Sequence, residues 1–120
     1  MDLVFAPSQI ETWSLDRLRP YARNAKMHGD DQVAKIAASM AKFGWTVPCM
    51  VADDGELIAG HGRVLAAKAL GLAEVPAIRL GHLTDAQARA FRLADNQLAL
   101  NSTWDESLLA AELRALRTDE

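Results

Sequence analysis

One junction limits what this chain can fold into more than any other stretch. The segment Glu56 to Ala59 leads through Gly60-His61-Gly62-Arg63 into Val64, Leu65, Ala66, Ala67, Lys68, Ala69 and Leu70, and Gly71 follows. Glu56 to Ala59, following the Asp53-Asp54-Gly55 turn and ending on glycine, completes a hairpin-like pair and predicts a strand, the alanine- and leucine-rich segment after it predicts a helix, and Gly71 at the C′ position stops that helix. A strand that delivers two glycines to a helix start aims several backbone N–H groups at one point, and the aligned peptide dipoles add roughly half a positive charge there. Such a point suits a phosphate or another anion. Arg63 can add a forked guanidinium that matches phosphate geometry, while a Cβ at Gly60 or Gly62 would hold a phosphate off the backbone or forbid a positive φ. The same residues also read as a tight turn carrying an exposed arginine.

The rest of the sequence supplies elements on both sides of this junction. Ile10 to Leu18 reads as a short strand ending in a turn at Pro20. Val33, Ile36, Ala37 and Met40 recur at helical spacing, with Asp30 or Asp31 as cap and Gly44 as stop. Thr46 to Ala52 is rich in β-formers, with Pro48 marking a strand start or an edge, and Asp53-Asp54-Gly55 makes the turn into Glu56. Val75 to Leu80 reads as a further strand. Thr84 with Gln87, and Thr103 with Glu106, form two capping-box patterns. The first opens a helix with Ala88, Phe91, Ala94 and Leu98 on one face, and the second opens a helix with the stripe Leu109, Leu113 and Leu116. The expectation is an α/β (α+β) domain, a small mixed sheet flanked by helices. Its core spans about residues 10–100, with a C-terminal helix over about 104–117.

At 120 residues the chain holds one domain of ordinary size, with neither repeats nor a long linker to divide it. Half of the residues are apolar and the net charge is -3, which disfavours both charge-driven disorder and a uniformly basic nucleic-acid binder. The charge is uneven along the chain. Residues 17–42 carry six basic side chains against two acidic ones, whereas residues 101–120 carry five acidic against two basic. No apolar stretch approaches the roughly 20 residues that span a bilayer, and the first residues do not form a secretory signal, so a cytoplasmic protein without membrane contact is expected. Cys49 is the one cysteine and the three histidines are far apart, leaving neither an internal disulfide nor a zinc-ligand spacing. Cys49, in an apolar strand, reads as a small buried hydrophobe. Trp13, Trp45 and Trp104 read as core residues rather than base-stacking platforms. The leucine stripe near residue 120 suggests that these residues begin a longer protein, or that the last helix packs on the domain or on a second copy in a homodimer.

The order of these elements, with Gly60-His61-Gly62-Arg63, Glu74-Val75-Pro76-Ala77-Ile78 and Leu93-Ala94-Asp95-Asn96, resembles the N-terminal domain of ParB-type partition proteins, whose fold is shared with sulfiredoxin. It is most similar to the ParB-like domain at the front of phage and prophage DNA modification methyltransferases. The resemblance covers about residues 10–117. It implies that Gly60, His61, Gly62 and Arg63 stand where partition proteins have Gly-Glu-Arg-Arg, the loop that holds a CTP triphosphate. It also implies that Asp95 and Asn96 replace a Glu-Asn pair that helps bind Mg2+, and that Arg23, Asn24 and Lys26 lie in the first nucleotide-contact segment. The arginine of the family pattern three residues beyond the asparagine is Ala99 here. His61 occupies the position of the sulfiredoxin catalytic cysteine, which excludes that activity.

The expected function is therefore a nucleotide- or phosphate-binding module of a DNA-acting protein, either partition-like or associated with DNA modification. The ligand would be CTP or ATP with Mg2+, and DNA would be engaged through a fused or associated domain. No methyltransferase signature and no helix-turn-helix pattern assigns DNA chemistry to these residues. Two other classes stay open: an enzyme of the same fold (a nucleotide hydrolase, nuclease or small-molecule kinase using Asp95, Asn96 and His61) and a ligand-free interaction module. His61 reads equally as an acid or base, as a neutral donor to phosphate, or as a solvent-facing side chain.

Overall fold

The computed structural model describes residues 9–21, 29–100 and 102–119. Four strands form one sheet: β1 (Glu11–Ser14), β2 (Cys49–Val51), β3 (Leu57–Ala59) and β4 (Glu74–Arg79), in the order β1-β4-β2-β3. β1 runs antiparallel to β4 with Trp13 opposite Val75, and β4 runs parallel to β2 with Ala77 opposite Cys49. β2 and β3 pair antiparallel around the Asp53–Gly55 turn, with a register irregularity at Met50 and Val51. The turn closes through the Gly55 N–H on the Ala52 carbonyl at 2.9 Å and the Glu56 N–H on Asp54 Oδ1 at 3.0 Å. The sheet is mixed, as the sequence predicts. Pro48 immediately precedes β2, an interior strand, so it marks a strand start rather than an edge.

Alternation along the strands splits the apolar side chains between two faces. Trp13, Cys49, Val51, Leu57, Val75 and Ala77 share one face with Val64 and Ala67 of α2 (His61–Ala69). Met50, Ala52, Ile58 and Ile78 share the other with Ala88 and Phe91 of α3 (Asp85–Leu100). α1 (Asp30–Phe43) packs beside α2. Helices therefore flank the sheet on both sides, and the α2 start is fixed between β3 and the cores.

The helix ends follow the sequence in part. Thr84 and Gln87 cap α3 reciprocally: the Gln87 N–H donates to Thr84 Oγ1 at 3.1 Å and the Thr84 N–H to Gln87 Oε1 at 2.9 Å. Gly71 adopts φ +75° just past α2, as expected. α1 differs, because Gly29 takes the cap position while Asp30 and Asp31 lie inside the first turn, where their charges face the positive end of the helix dipole. In α4 (Glu106–Asp119) the cap is Asp105, whose Oδ1 accepts the Leu108 N–H at 3.1 Å, in place of the expected Thr103 box.

The second half of α3 and α4 stand away from the cores. Ala94 and Leu98 are exposed, so the apolar face of α3 ends near Phe91, and Leu113 and Leu116 of α4 are each half exposed. Of the placements expected for the α4 stripe, packing on the domain does not cover Leu113 and Leu116. The tryptophans divide likewise: Trp13 is buried, Trp45 is half-buried with its Nε1 donating to the Val47 carbonyl, and Trp104 is 76% exposed rather than in the core. Cys49 is fully buried, as expected, with its thiol 3.5 Å from the Pro76 carbonyl, and burial pushes that thiol up to about 11. No helix among the described residues is long and apolar enough to cross a membrane.

Candidate functional site

The β3–α2 junction turns on a single glycine. Gly60 has φ +95° and ψ +20°, in the left-handed region, and a Cβ placed there would lie 2.8 Å from Cys49 Cβ and 3.0 Å from Cys49 Cα. Only glycine fits such a backbone in such contact. The helix begins one residue later, with the first α2 hydrogen bond running from the Val64 N–H to the Gly60 carbonyl at 3.0 Å. His61, Gly62 and Arg63 therefore form the first helical turn, not the loop expected from the sequence. Gly62 has no positive φ and is buried in that turn, so the left-handed bend is made by Gly60 alone. The consequence for anion binding is favourable, since the amides of residues 61–63 precede the first helical bond and share the helix direction.

Opposite this turn stands α3. Asp95 and Asn96 occupy successive positions on it, Asp95 exposed and Asn96 half-buried. Gly60, His61, Gly62, Arg63, Asp95 and Asn96 all line one cleft of about 360 Å³, with Gln32 and Ile36 of α1 and Pro48 before β2 completing its wall. Six of the nine site residues named from the sequence are thus gathered from segments more than 30 positions apart. The remaining three, Arg23, Asn24 and Lys26, lie outside the described residues. Arg63 also borders an adjoining apolar groove formed by Ile36, Met40 and Phe43 with Lys35.

One charged residue of the cleft was not singled out from the sequence. Arg92, one turn before Asp95, is only 4% exposed. Its Nε and Nη2 donate to the Leu57 carbonyl at 3.0 and 2.9 Å, and Nη2 also reaches Glu56 Oε1 at 3.1 Å. The guanidinium lies over the Tyr21 ring, 3.7 Å from its centroid, while Nη1 is buried without a hydrogen-bond acceptor among the described residues. An arginine at a helical position ordinarily reads as solvent-facing. The signal available in the sequence was its spacing, because Ala88 and Phe91 of the buried face and Asp95 and Asn96 of the cleft lie within four residues of it.

Among the described residues no group of three or more His, Cys, Asp or Glu side chains is placed to hold a metal ion. Asp95 and Asn96 offer a carboxylate and an amide oxygen. That pair suits Mg2+ in the manner the ion usually adopts, with one or two protein oxygens and the rest of its shell from phosphate and water.

Comparisons with known proteins agree with this architecture. The ParB N-terminal domain model matches residues 4–97. A ParB-like nuclease domain-containing protein of Escherichia coli K12, YnaK, is 51% identical over 73 residues, which are 61% of this chain and 84% of that protein. Among solved structures, the C-terminally truncated chromosome-partitioning protein ParB from Caulobacter crescentus, complexed with CTP-gamma-S, superposes with a TM-score of 0.74 at 16% identity; the match covers 94% of this chain and 66% of that one. Sulfiredoxin from Arabidopsis thaliana superposes with a TM-score of 0.53 at 22% identity over 59% of this chain and 83% of its own. The fold is that shared by ParB and sulfiredoxin, and the chain belongs to the ParB N-terminal domain family.

Proposed function

We propose that this chain is a nucleotide- or phosphate-binding module serving a DNA-acting protein, with any chemistry on DNA carried by another domain or subunit. The observation that carries the reading is the convergence, in one cleft, of the α2 start at Gly60–Arg63 with Asp95 and Asn96 of α3. The phosphates sit at the α2 N-terminus, where backbone N–H groups and the helix dipole attract them, and Arg63 adds a charge-assisted contact. Asp95 and Asn96 would hold a Mg2+ ion, which would supply positive charge to offset that of the phosphates. His61, in the same turn, offers a further ring N–H donor to phosphate. The structural relative that carries CTP-gamma-S makes CTP the first nucleotide to examine, with ATP next.

Calorimetric titration with CTP, ATP, ADP and GTP, with and without Mg2+, tests the reading. Binding of a triphosphate without turnover is the expected result. Arg63→Ala should weaken it by roughly ten- to a hundredfold, the equivalent of about 1.5–3 kcal/mol for a charged hydrogen bond. Asp95→Ala should weaken it only when Mg2+ is present. Turnover of the bound nucleotide would favour a hydrolase, and absence of binding would leave an interaction module.

A further inference from the structure

We infer that Arg92 is a ligand-binding residue of the cleft, donating from Nη1 to an oxyanion of the bound phosphate group, and that Glu56 sets the strength of that contact. The inference rests on the phosphate-binding reading above and assigns its second cation.

A guanidinium has five N–H donors in a fixed plane. In Arg92, Nε and Nη2 are engaged by the Leu57 carbonyl and the Glu56 carboxylate. Those contacts tie α3 to β3. Nη1 contributes nothing to them, yet it is buried, on a side chain that lines the same cleft as the α2 start and Arg63. Buried donors in native proteins are almost always paired, so one without an acceptor among the described residues, beside an anion-attracting helix start, points to an acceptor that arrives with the ligand. The face of the guanidinium is held by the Tyr21 ring and one edge by Leu57, which leaves the plane little freedom to turn away. Arg92 is therefore preorganised for an acceptor in the cleft.

Glu56 modulates this donor. It is the ion-pair partner of Arg92 at 3.1 Å and offsets part of its positive charge in the unliganded protein. Glu56 does not itself line the cleft. Removing its charge while keeping its shape should leave Arg92 more positive toward an incoming oxyanion.

The test is titration of pyrophosphate and of CTP into the wild type and into Arg63→Ala, Arg92→Lys and Glu56→Gln, with urea unfolding of each variant. Arg92→Lys keeps a charge and a donor for Leu57 but loses Nη1, and should weaken both ligands by at least about tenfold. Glu56→Gln should tighten both, by about three- to tenfold, even as it lowers the unfolding midpoint. A purely structural arginine would lower the midpoint in both variants and leave affinity unchanged. If the wild type binds, Arg63→Ala weakens binding, and neither Arg92→Lys nor Glu56→Gln alters it, the role of Arg92 is overturned while the phosphate-binding reading stands. If Arg92→Lys does not fold, unchanged affinity in Glu56→Gln overturns the inference alone. A wild type that binds neither probe overturns the reading itself. Pyrophosphate and CTP responding alike places the contact on phosphate; a loss confined to CTP would place it on the base or sugar and overturn the assignment to an oxyanion.

Discussion

Replacing Gly60 by alanine should cost far more than replacing Gly71, although both glycines have positive φ, +95° and +75°. Each substitution forces an L-residue into the left-handed region, at about 1–2 kcal/mol. Around Gly71 nothing lies within 4 Å of an added Cβ, so that strain is the whole effect. At Gly60 the added methyl meets Cys49 Cβ at 2.8 Å and Cys49 Cα at 3.0 Å. One of these is a backbone atom of an interior strand, which cannot swing aside as a flexible side chain would. Overpacking of this kind costs a further ~1–3 kcal/mol, bringing the expected loss for Gly60→Ala to about 2–5 kcal/mol. Urea unfolding of both variants with a common m-value measures the difference. Equal losses at the two positions would refute the argument, because they would mean that the strand-to-helix junction yields to a methyl group and is not held against β2.

Three further outcomes are expected. The Cys49 thiol is raised from 9.0 to about 11 by burial, so above pH 9 the unfolded chain ionises while the native one does not. Stability from this group is complete below pH 9 and is lost as pH rises toward 11, on the order of 2–3 kcal/mol, a slope that Cys49→Ala should remove; a native thiol labelled as fast as in denaturant would contradict the burial. Asp105→Ala should destabilise α4 by about 0.5–2 kcal/mol, read as loss of helical circular dichroism on warming, whereas Thr103→Ala should have little effect; the reverse order would return the cap to Thr103. Duplex DNA should bind weakly, without sequence preference and with steep salt dependence, since the net charge is -3 and affinity would come from phosphate contacts; a salt-insensitive preference for one duplex in fluorescence anisotropy would contradict this.

What could be read from the sequence is what local chemistry decides. The Thr84–Gln87 box and Gly71 act within a turn or two of their own positions, and the structure has both as expected. The α2 start was displaced by three residues because glycine suggests a loop, whereas Gly62 continues a helix once Gly60 alone has made the bend. Thr103 and Asp105 both offer a capping oxygen two residues apart, and propensity does not choose between them. Arg92 escaped notice for a tertiary reason: its acceptors, Leu57 and Glu56, lie 35 and 36 residues away across the sheet. Trp104 and the outer leucines of α4 show the converse, since apolar periodicity marks a face but not what covers it.

Phosphate binding at the α2 start can be followed residue by residue through amide chemical-shift mapping during a pyrophosphate titration. The largest perturbations should fall on the backbone N–H groups of His61, Gly62 and Arg63, accompanied by the side-chain resonance of Arg92 and saturating together. Perturbations confined to other elements, or a spectrum unchanged at millimolar pyrophosphate, would contradict it.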